Sequence, residues 1–283
     1  MRIITLSVDG IFQAAQRGLY DWLKDQDADV VCLQDLRALE PELDADVFHP
    51  EGYYSYFFDS GEPHTNGVAI YTRVLPKAMI YGLGFSSGVD MQGRYLQIDF
   101  GNVSIGSLLA PASKPGESQE EKMQFFDDLQ ALLYKVTRKR RQFIICGNWQ
   151  MAHTEKDVRF PDQAWDKPIF MDWEQQWLDQ LYFQIGYVDS FRVAQSDDKQ
   201  FSYWPDGVGA DAQAYRSDFQ IASYDLGRTV KSAGLYRGGY QRNEQRNEQS
   251  NAAAGKAKTE HPSELGFSSH LPVMVEYDLT LEG

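Results

Sequence analysis

Apolar runs too short to form helices, each closed by turn residues, recur along most of this 283-residue chain. They fall at residues 28–33, 53–58, 67–72, 78–83, 143–146, 187–191, 201–204, 219–222 and 273–277, and each reads as a strand. The opening residues 1–7 read as another. Residues 95–100 and 103–109 alternate on either side of Gly101-Asn102, a two-residue turn pair, and predict a hairpin. Helical spacing is confined to three places. Ile11, Ala15, Leu19, Trp22 and Leu23 predict an amphipathic helix to about residue 26. A capping box at Ser118-Gln119-Glu120-Glu121 opens a second helix, with Met123, Phe126, Leu129, Leu133 and Val136 on its apolar face. Trp173, Trp177, Leu178 and Leu181 mark a third over 172–182. Strands outnumber helices and the connections are short, which suits a β-sandwich flanked by helices better than a doubly wound parallel sheet.

With 42% hydrophobic residues the chain can bury a substantial core, as one large domain over 1–283. The first residues lead straight into a strand with no secretory pattern, and no run approaches the roughly 20 apolar residues that would span a bilayer. Cys32 and Cys146 each sit in an apolar strand and read as reduced core thiols, so a cytoplasmic location is expected. Residues 241–264 contain no Val, Ile, Leu, Met, Phe, Trp or Tyr, and read as a flexible polar insertion. The formal net charge of −14 argues against tight, unaided binding to nucleic acid, because that binding rests on phosphate neutralisation by Lys and Arg. A local basic patch or a basic partner would have to supply the attraction. The densest basic run is Arg138-Lys139-Arg140-Arg141, at the end of the second predicted helix. Cations there also complement the helix dipole. Arg192 and Arg228 are further candidate RNA or partner contacts. No metal-ligand spacing is evident at His64, His153 or His261, and no cofactor is expected.

Several stretches, taken in order, carry a resemblance: Leu6-Ser7-Val8-Asp9-Gly10, Leu33-Gln34-Asp35, Asn66-Gly67-Val68, Cys146-Gly147-Asn148-Trp149-Gln150, Arg216-Ser217-Asp218 and Ser269-His270-Leu271-Pro272. This set resembles the exonuclease III / AP endonuclease branch of the endonuclease-exonuclease-phosphatase superfamily. The resemblance implies an α/β fold, a four-layer sandwich of two packed mixed β-sheets flanked by helices. In active members, an acidic residue after Leu-Gln holds Mg²⁺, a Gly-Asp-x-Asn turn activates water, and a C-terminal Asp-His pair stabilises charge.

Laid on those positions, this chain has Ser7 for an Asn, Asp35 for a Glu, Leu109 for a Tyr, Asn148 for the water-activating Asp, Gln150 for its companion Asn, and Ser269 before His270. Asp218 is kept. The resemblance therefore implies a vestigial pocket of Asp35, Asn148, Gln150, Asp218 and His270, with His270 lacking its carboxylate partner. A chain without catalytic or metal-binding residues, and hence not an enzyme, is the expectation. Within the superfamily the chain is most similar to the catabolite-repression-control branch, through Gln34-Asp35-Leu36-Arg37, the basic run before Cys146-Gly147, and Ser202-Tyr203-Trp204-Pro205-Asp206. That similarity implies repression of translation together with the RNA chaperone Hfq, over A-rich mRNA in a ternary complex. The alternative is a divergent Mg²⁺- or Mn²⁺-dependent phosphodiesterase using Asp35, Asp218 and His270 with a relocated base.

Overall fold

Strand β1 (Arg2–Ser7) lies parallel to β2 (Val30–Gln34), with Ile3 opposite Val30 and Ser7 opposite Gln34. On the β2 side the sheet adds β4 (Val68–Thr72) and β3 (Tyr54–Phe58). On the β1 side it adds β12 (Val273–Tyr277) and β11 (Val230–Leu235). A second sheet is built the same way around the parallel pair β7 (Ser104–Leu109) and β8 (Phe143–Asn148). It continues through β6 (Tyr95–Asp99) and β5 (Ala78–Tyr81) at one edge, and β10 (Asp218–Ser223) and β9 (Tyr187–Asp189) at the other. The computed structural model describes residues 1–84, 91–113, 118–196, 199–207, 209, 211–235 and 267–283. Among these, each sheet has six strands, all pairings antiparallel except the two central ones. The two packed mixed sheets match the expected sandwich. The polar stretch 241–264 lies outside the described residues.

The period-two alternation of each strand decides which layer its side chains enter. Ile3, Val30, Cys32, Val68 and Ile70 of the first sheet meet Leu96, Ile98, Ile144 and Cys146 of the second in a dry interlayer core. Cys32 and Cys146 are free and buried there. Burial pushes the Cys146 thiol up, and the adjoining Cys32 thiol adds to the effect. Such thiols behave as small hydrophobes. Polar bridges cross the same layer: Gln34 Nε2 donates to Ser107 Oγ at 2.9 Å, and Gln220 Nε2 donates to the carbonyls of Ile3 and Val273.

The alternate residues face outward. Ile4, Leu6, Val31, Leu33 and Tyr71 receive α1 (Ile11–Gln16) and α2 (Leu19–Lys24) through Ile11, Leu19, Trp22 and Leu23. Across the molecule, Phe143, Ile145, Phe219 and Ile221 receive α3 (Glu120–Arg138) and, after the single turn α4 (Pro161–Ala164), α5 (Asp172–Gln180). At Gly147 an added Cβ would lie 2.1 Å from the Leu108 carbonyl oxygen, so the β7–β8 contact requires glycine there. No helix of the described residues is long and apolar enough to cross a membrane.

Four local expectations differ. The helix predicted over 11–26 is two helices, parted at Gly18, whose φ of 91° is left-handed. The run at 187–191 stops as a strand at Asp189, because its carboxylate accepts the Phe191 and Arg192 amides and caps α6 (Ser190–Ala194). The run at 201–204 contributes only isolated bridges from Tyr203 to Tyr215 and to His270. Strand β11 has no counterpart among the predicted strands, since an edge strand carrying exposed Lys231 and Ser232 has little alternation to read. It follows α7 (Tyr224–Gly227).

One topological consequence matters for function. β1, β2, β7 and β8 all end, and β10 and β12 begin, at the same end of the sandwich. Ser7, Gln34, Leu109, Asn148 and Asp218 therefore converge there, with His270 just ahead of β12.

Candidate functional site

A cavity of about 730 Å³ opens at that end, with Asp9, Asp35, Arg37, Arg94, Asn148 and His270 on its wall. Leu109, Gln150 and Tyr203 also line it. Of the candidates drawn from the sequence, Asp35, Leu109, Asn148, Gln150 and His270 are thus brought together. Asp218 is fully buried behind His270, and Ser7 is fully buried beside Asn148, whose Nδ2 lies 3.4 Å from the Ser7 hydroxyl.

The central contact is between Asp218 and His270. Asp218 Oδ2 accepts a hydrogen bond from His270 Nδ1 at 2.8 Å and another from Ser202 Oγ at 2.6 Å. Tyr203 stacks on the imidazole, with ring centroids 4.3 Å apart and planes 15° apart. Burial alone would lower the histidine, but the Asp218 charge and hydrogen bond, then Asp9 and Asp35, raise it above its ordinary 6.5. The pairing therefore favours the charged ring over the neutral one. This corrects the expectation that the Ser269-His270 sequence leaves the imidazole without a carboxylate. The carboxylate comes from Asp218, far away in the chain, across the seam between the sheets. Ser269 instead holds Asp9, its amide and hydroxyl both donating to Asp9 Oδ2, at 2.8 and 2.6 Å.

Asp9, Asp35 and Arg37 form the opposite wall. Their φ values of 52°, 57° and 53° are left-handed for non-glycine residues, a cost of about 1–3 kcal/mol each. Main-chain hydrogen bonds hold the turns in place: Gly10 N to Asp35 O at 2.9 Å, Leu36 N to Gly67 O at 3.1 Å, and Arg37 N to Asn66 O at 2.7 Å. The result aims both carboxylates at one guanidinium. Arg37 grips Asp35 with two hydrogen bonds, at 2.6 and 3.1 Å, and its Nη2 is 3.6 Å from Asp9 Oδ1. Burial would raise the Asp9 carboxyl, but His270, Ser269 and Arg37 together hold it below the usual carboxylate value.

The superfamily's metal can be tested against this donor set. A divalent cation such as Mg²⁺ needs several free hard oxygens. Here both Asp35 oxygens are taken by Arg37, and Asp9 Oδ2 by Ser268 and Ser269. Among the described residues no three His, Cys, Asp or Glu side chains gather as a metal site. The residues present do not fit the metal, and no chemistry below passes through one.

Sequence reasoning missed Arg94. It is nine-tenths buried, reaches Glu121 at 3.3 Å, and its Nε has no hydrogen-bond partner among the described residues. Burial pulls its ionisation down, only partly offset by Glu121 and Asp35. A basic residue beginning an otherwise apolar strand, as in Gly93-Arg94-Tyr95-Leu96, was the available signal. Asn148 and Gln150 are fixed from below, Gln150 N donating to Asn148 Oδ1 at 3.2 Å and Lys122 Nζ donating to the Gln150 carbonyl at 2.6 Å.

The basic candidates lie elsewhere. Arg138 ends α3, and Lys139, Arg140 and Arg141 lead from it into the start of β8, whereas Asn148 is at the far end of that strand, about 17 Å away at strand rise. Arg138, Lys139 and Arg140 are exposed, while Arg141 also pairs with Asp99 at 3.1 Å. Arg228, exposed, follows α7, whose Tyr224 and Asp225 line a cleft with Arg140 and Arg141. Arg192 is turned onto Asp157 and the Gln195 carbonyl.

The raised value of His270 fixes a sign. Its pairing with Asp218 stabilises the fold fully below the unfolded value of 6.5, and that contribution is lost as pH rises through the higher folded value. Urea unfolding is therefore expected to show stability falling as pH rises above about 6.5, and Asp218→Asn to flatten or reverse that slope. Parallel slopes for the two proteins would contradict the pairing.

Comparison with known proteins is consistent with this geometry. The chain is 28% identical over 241 residues to an exodeoxyribonuclease of Bacillus subtilis, covering 83% of this chain and 93% of that one. It is 26% identical over 232 residues to the DNA repair nuclease APEX1 of Danio rerio, covering 80% and 74%. Its fold matches an AP endonuclease from Archaeoglobus fulgidus with a TM-score of 0.81 at 20% identity, covering 99% and 100%. It also matches a variant of the 3′ phosphatase NExo from Neisseria bound to product DNA hairpin, with a TM-score of 0.77 at 21% identity, covering 99% and 100%. These matches correct the expectation that the chain is not an enzyme, since its relatives are nucleases. The replacements at Ser7, Leu109, Asn148, Gln150 and Ser269 leave the buried Asp218–His270 pair in place. Residues 8–208 match the sequence profile of the Endonuclease/Exonuclease/phosphatase family, and the chain belongs to that family.

Proposed function

We propose that the chain is a phosphodiesterase acting on nucleic-acid phosphate esters, with His270 as the charged group set against the phosphate. The observation that carries this reading is the Asp218–His270 pair opening on a cavity that also holds Arg37 and Arg94. Asp218 takes Nδ1 and so leaves Nε2 for a ligand. A phosphoryl group seated there would meet an imidazolium N–H and guanidinium donors. Those groups stabilise the charge that spreads over phosphoryl oxygens as water attacks and the ester oxygen departs. Asn148 can orient that water through its amide but cannot remove its proton. Turnover is expected about 10²–10⁴-fold below that of a site with a matched base. The nuclease and phosphatase relatives supply the substrates to try: duplexes with an abasic site, a recessed 3′ end or a 3′ phosphate. At least one should be processed, and His270→Gln should slow it by about 10²–10³-fold. No product from any of them, or an unchanged rate in His270→Gln, would overturn the reading.

A second reading is favoured by the charge distribution. A chain of net −14 that exposes Arg138, Lys139, Arg140 and Arg228 away from the cavity suits RNA already held by a basic-faced partner. Repression of A-rich mRNA together with Hfq would use this surface. Mixing the protein with an A-rich RNA, with Hfq, and with both is expected to give a stable complex only in the three-component case, weakened by Arg138→Glu with Arg140→Glu. Tight binding to RNA alone at physiological salt would contradict it.

A further inference from the structure

We propose that Arg37 takes the place of a divalent cation in this cavity, so that the site binds a phosphate group without a metal ion. The inference rests on reading the cavity as a phosphate-ester site, and adds where its positive charge comes from. Three observations meet in it.

The first is the position of the guanidinium. Arg37 lies between the Asp35 carboxylate, held by two hydrogen bonds, and the Asp9 carboxylate, 3.6 Å from its Nη2, while its Nη1 donates to the Asp9 carbonyl at 3.3 Å. A fixed cation between two carboxylates does electrostatically what a bound ion would do. A metal could enter only by displacing a planar, bidentate, charge-assisted contact.

The second is Arg94. A guanidinium nine-tenths buried on the same wall, paired with Glu121 through Nη2 alone, keeps its Nε unpartnered among the described residues. Such a group is stabilised by an anion that enters the cavity. The third is the balance of charge. Asp9 and Asp35 are set against Arg37, Asp218 against His270 and Glu121 against Arg94, so the carboxylates of the inner wall are already paired. The other ionic residues on the lining, Lys167 and Asp206, are exposed and screened by water. Carboxylates already paired in this way disfavour a second cation.

The test uses the whole protein, with inorganic phosphate and Mn²⁺ as probes. Phosphate binding is followed through the Arg94 Nε–H resonance, in EDTA and again with Mg²⁺. Saturable binding in EDTA is expected, with Mg²⁺ changing the affinity by less than about twofold. Arg37→Gln should weaken phosphate by about tenfold or more, the loss of one charge-assisted contact. The same substitution frees Asp9 and Asp35, so the variant is expected to take up Mn²⁺, read by paramagnetic broadening, where the wild type does not. Arg37 is half exposed, and Arg37→Lys, which keeps the charge, should retain most of the phosphate affinity if the fold is intact. Phosphate binding that requires Mg²⁺, no phosphate binding under either condition, or equal Mn²⁺ uptake by wild type and Arg37→Gln would overturn the inference. Ester hydrolysis measured alongside separates the two claims. Hydrolysis that depends on Mg²⁺ keeps the phosphodiesterase reading and removes this one, whereas metal-free phosphate binding without hydrolysis does the reverse.

Discussion

The contact between Asp218 and His270 joins the two sheets where their strand ends converge. Asp218 opens β10 in one sheet, and His270 stands just before β12 in the other, so a single buried carboxylate–imidazole pair spans the seam. Taking two charges out of water is costly, and removing one partner of such a pair typically costs about 3–5 kcal/mol. The surroundings offset that cost by supplying more contacts. Ser202 donates to the same carboxylate oxygen, Tyr203 covers the ring, and backbone bridges tie Tyr203 to both Tyr215 and His270. The cavity's shape and its charge both follow from this pair.

A second buried cluster presents Asp218 to its partner. Arg216 is fully buried and bonds Asp157 at 2.8 Å and Asp189 at 2.6 Å. Burial would raise the Asp157 carboxyl, but Arg216 and Arg192 hold it down to about 2, and the two aspartates in turn raise Arg216 against its own burial. The Arg216-Ser217-Asp218 turn is therefore anchored one residue at a time. Arg192, a candidate RNA contact in the sequence, belongs to this anchor.

Short apolar runs made the sandwich readable, because neighbours such as Ile3 and Ile4, or Ile145 and Cys146, face different layers and are both apolar. The site was readable in part. Asp35 and Gln150 lie just past strand ends, Asn148 closes β8 and His270 stands just ahead of β12, and strand ends are where this fold gathers side chains. The partner of His270 was not readable, because local sequence offers Ser269 while the pairing is made across the two sheets by Asp218. Nor was the role of Arg37, since it depends on left-handed backbone at three residues, which brings Asp9 and Asp35 onto one group. Arg94 looks like an ordinary strand residue until its burial and unpaired nitrogen are seen.

The central claim is that His270 is a buried imidazolium held by Asp218 against a phosphate-binding cavity. The most direct measurement is the ¹⁵N chemical shifts of the His270 ring nitrogens as pH rises through the ordinary histidine value of 6.5. Both nitrogens should be protonated in the wild type, and Asp218→Asn should convert the ring to a neutral tautomer at the same pH. A neutral ring in the wild type, or a ring unaffected by the substitution, would contradict the account.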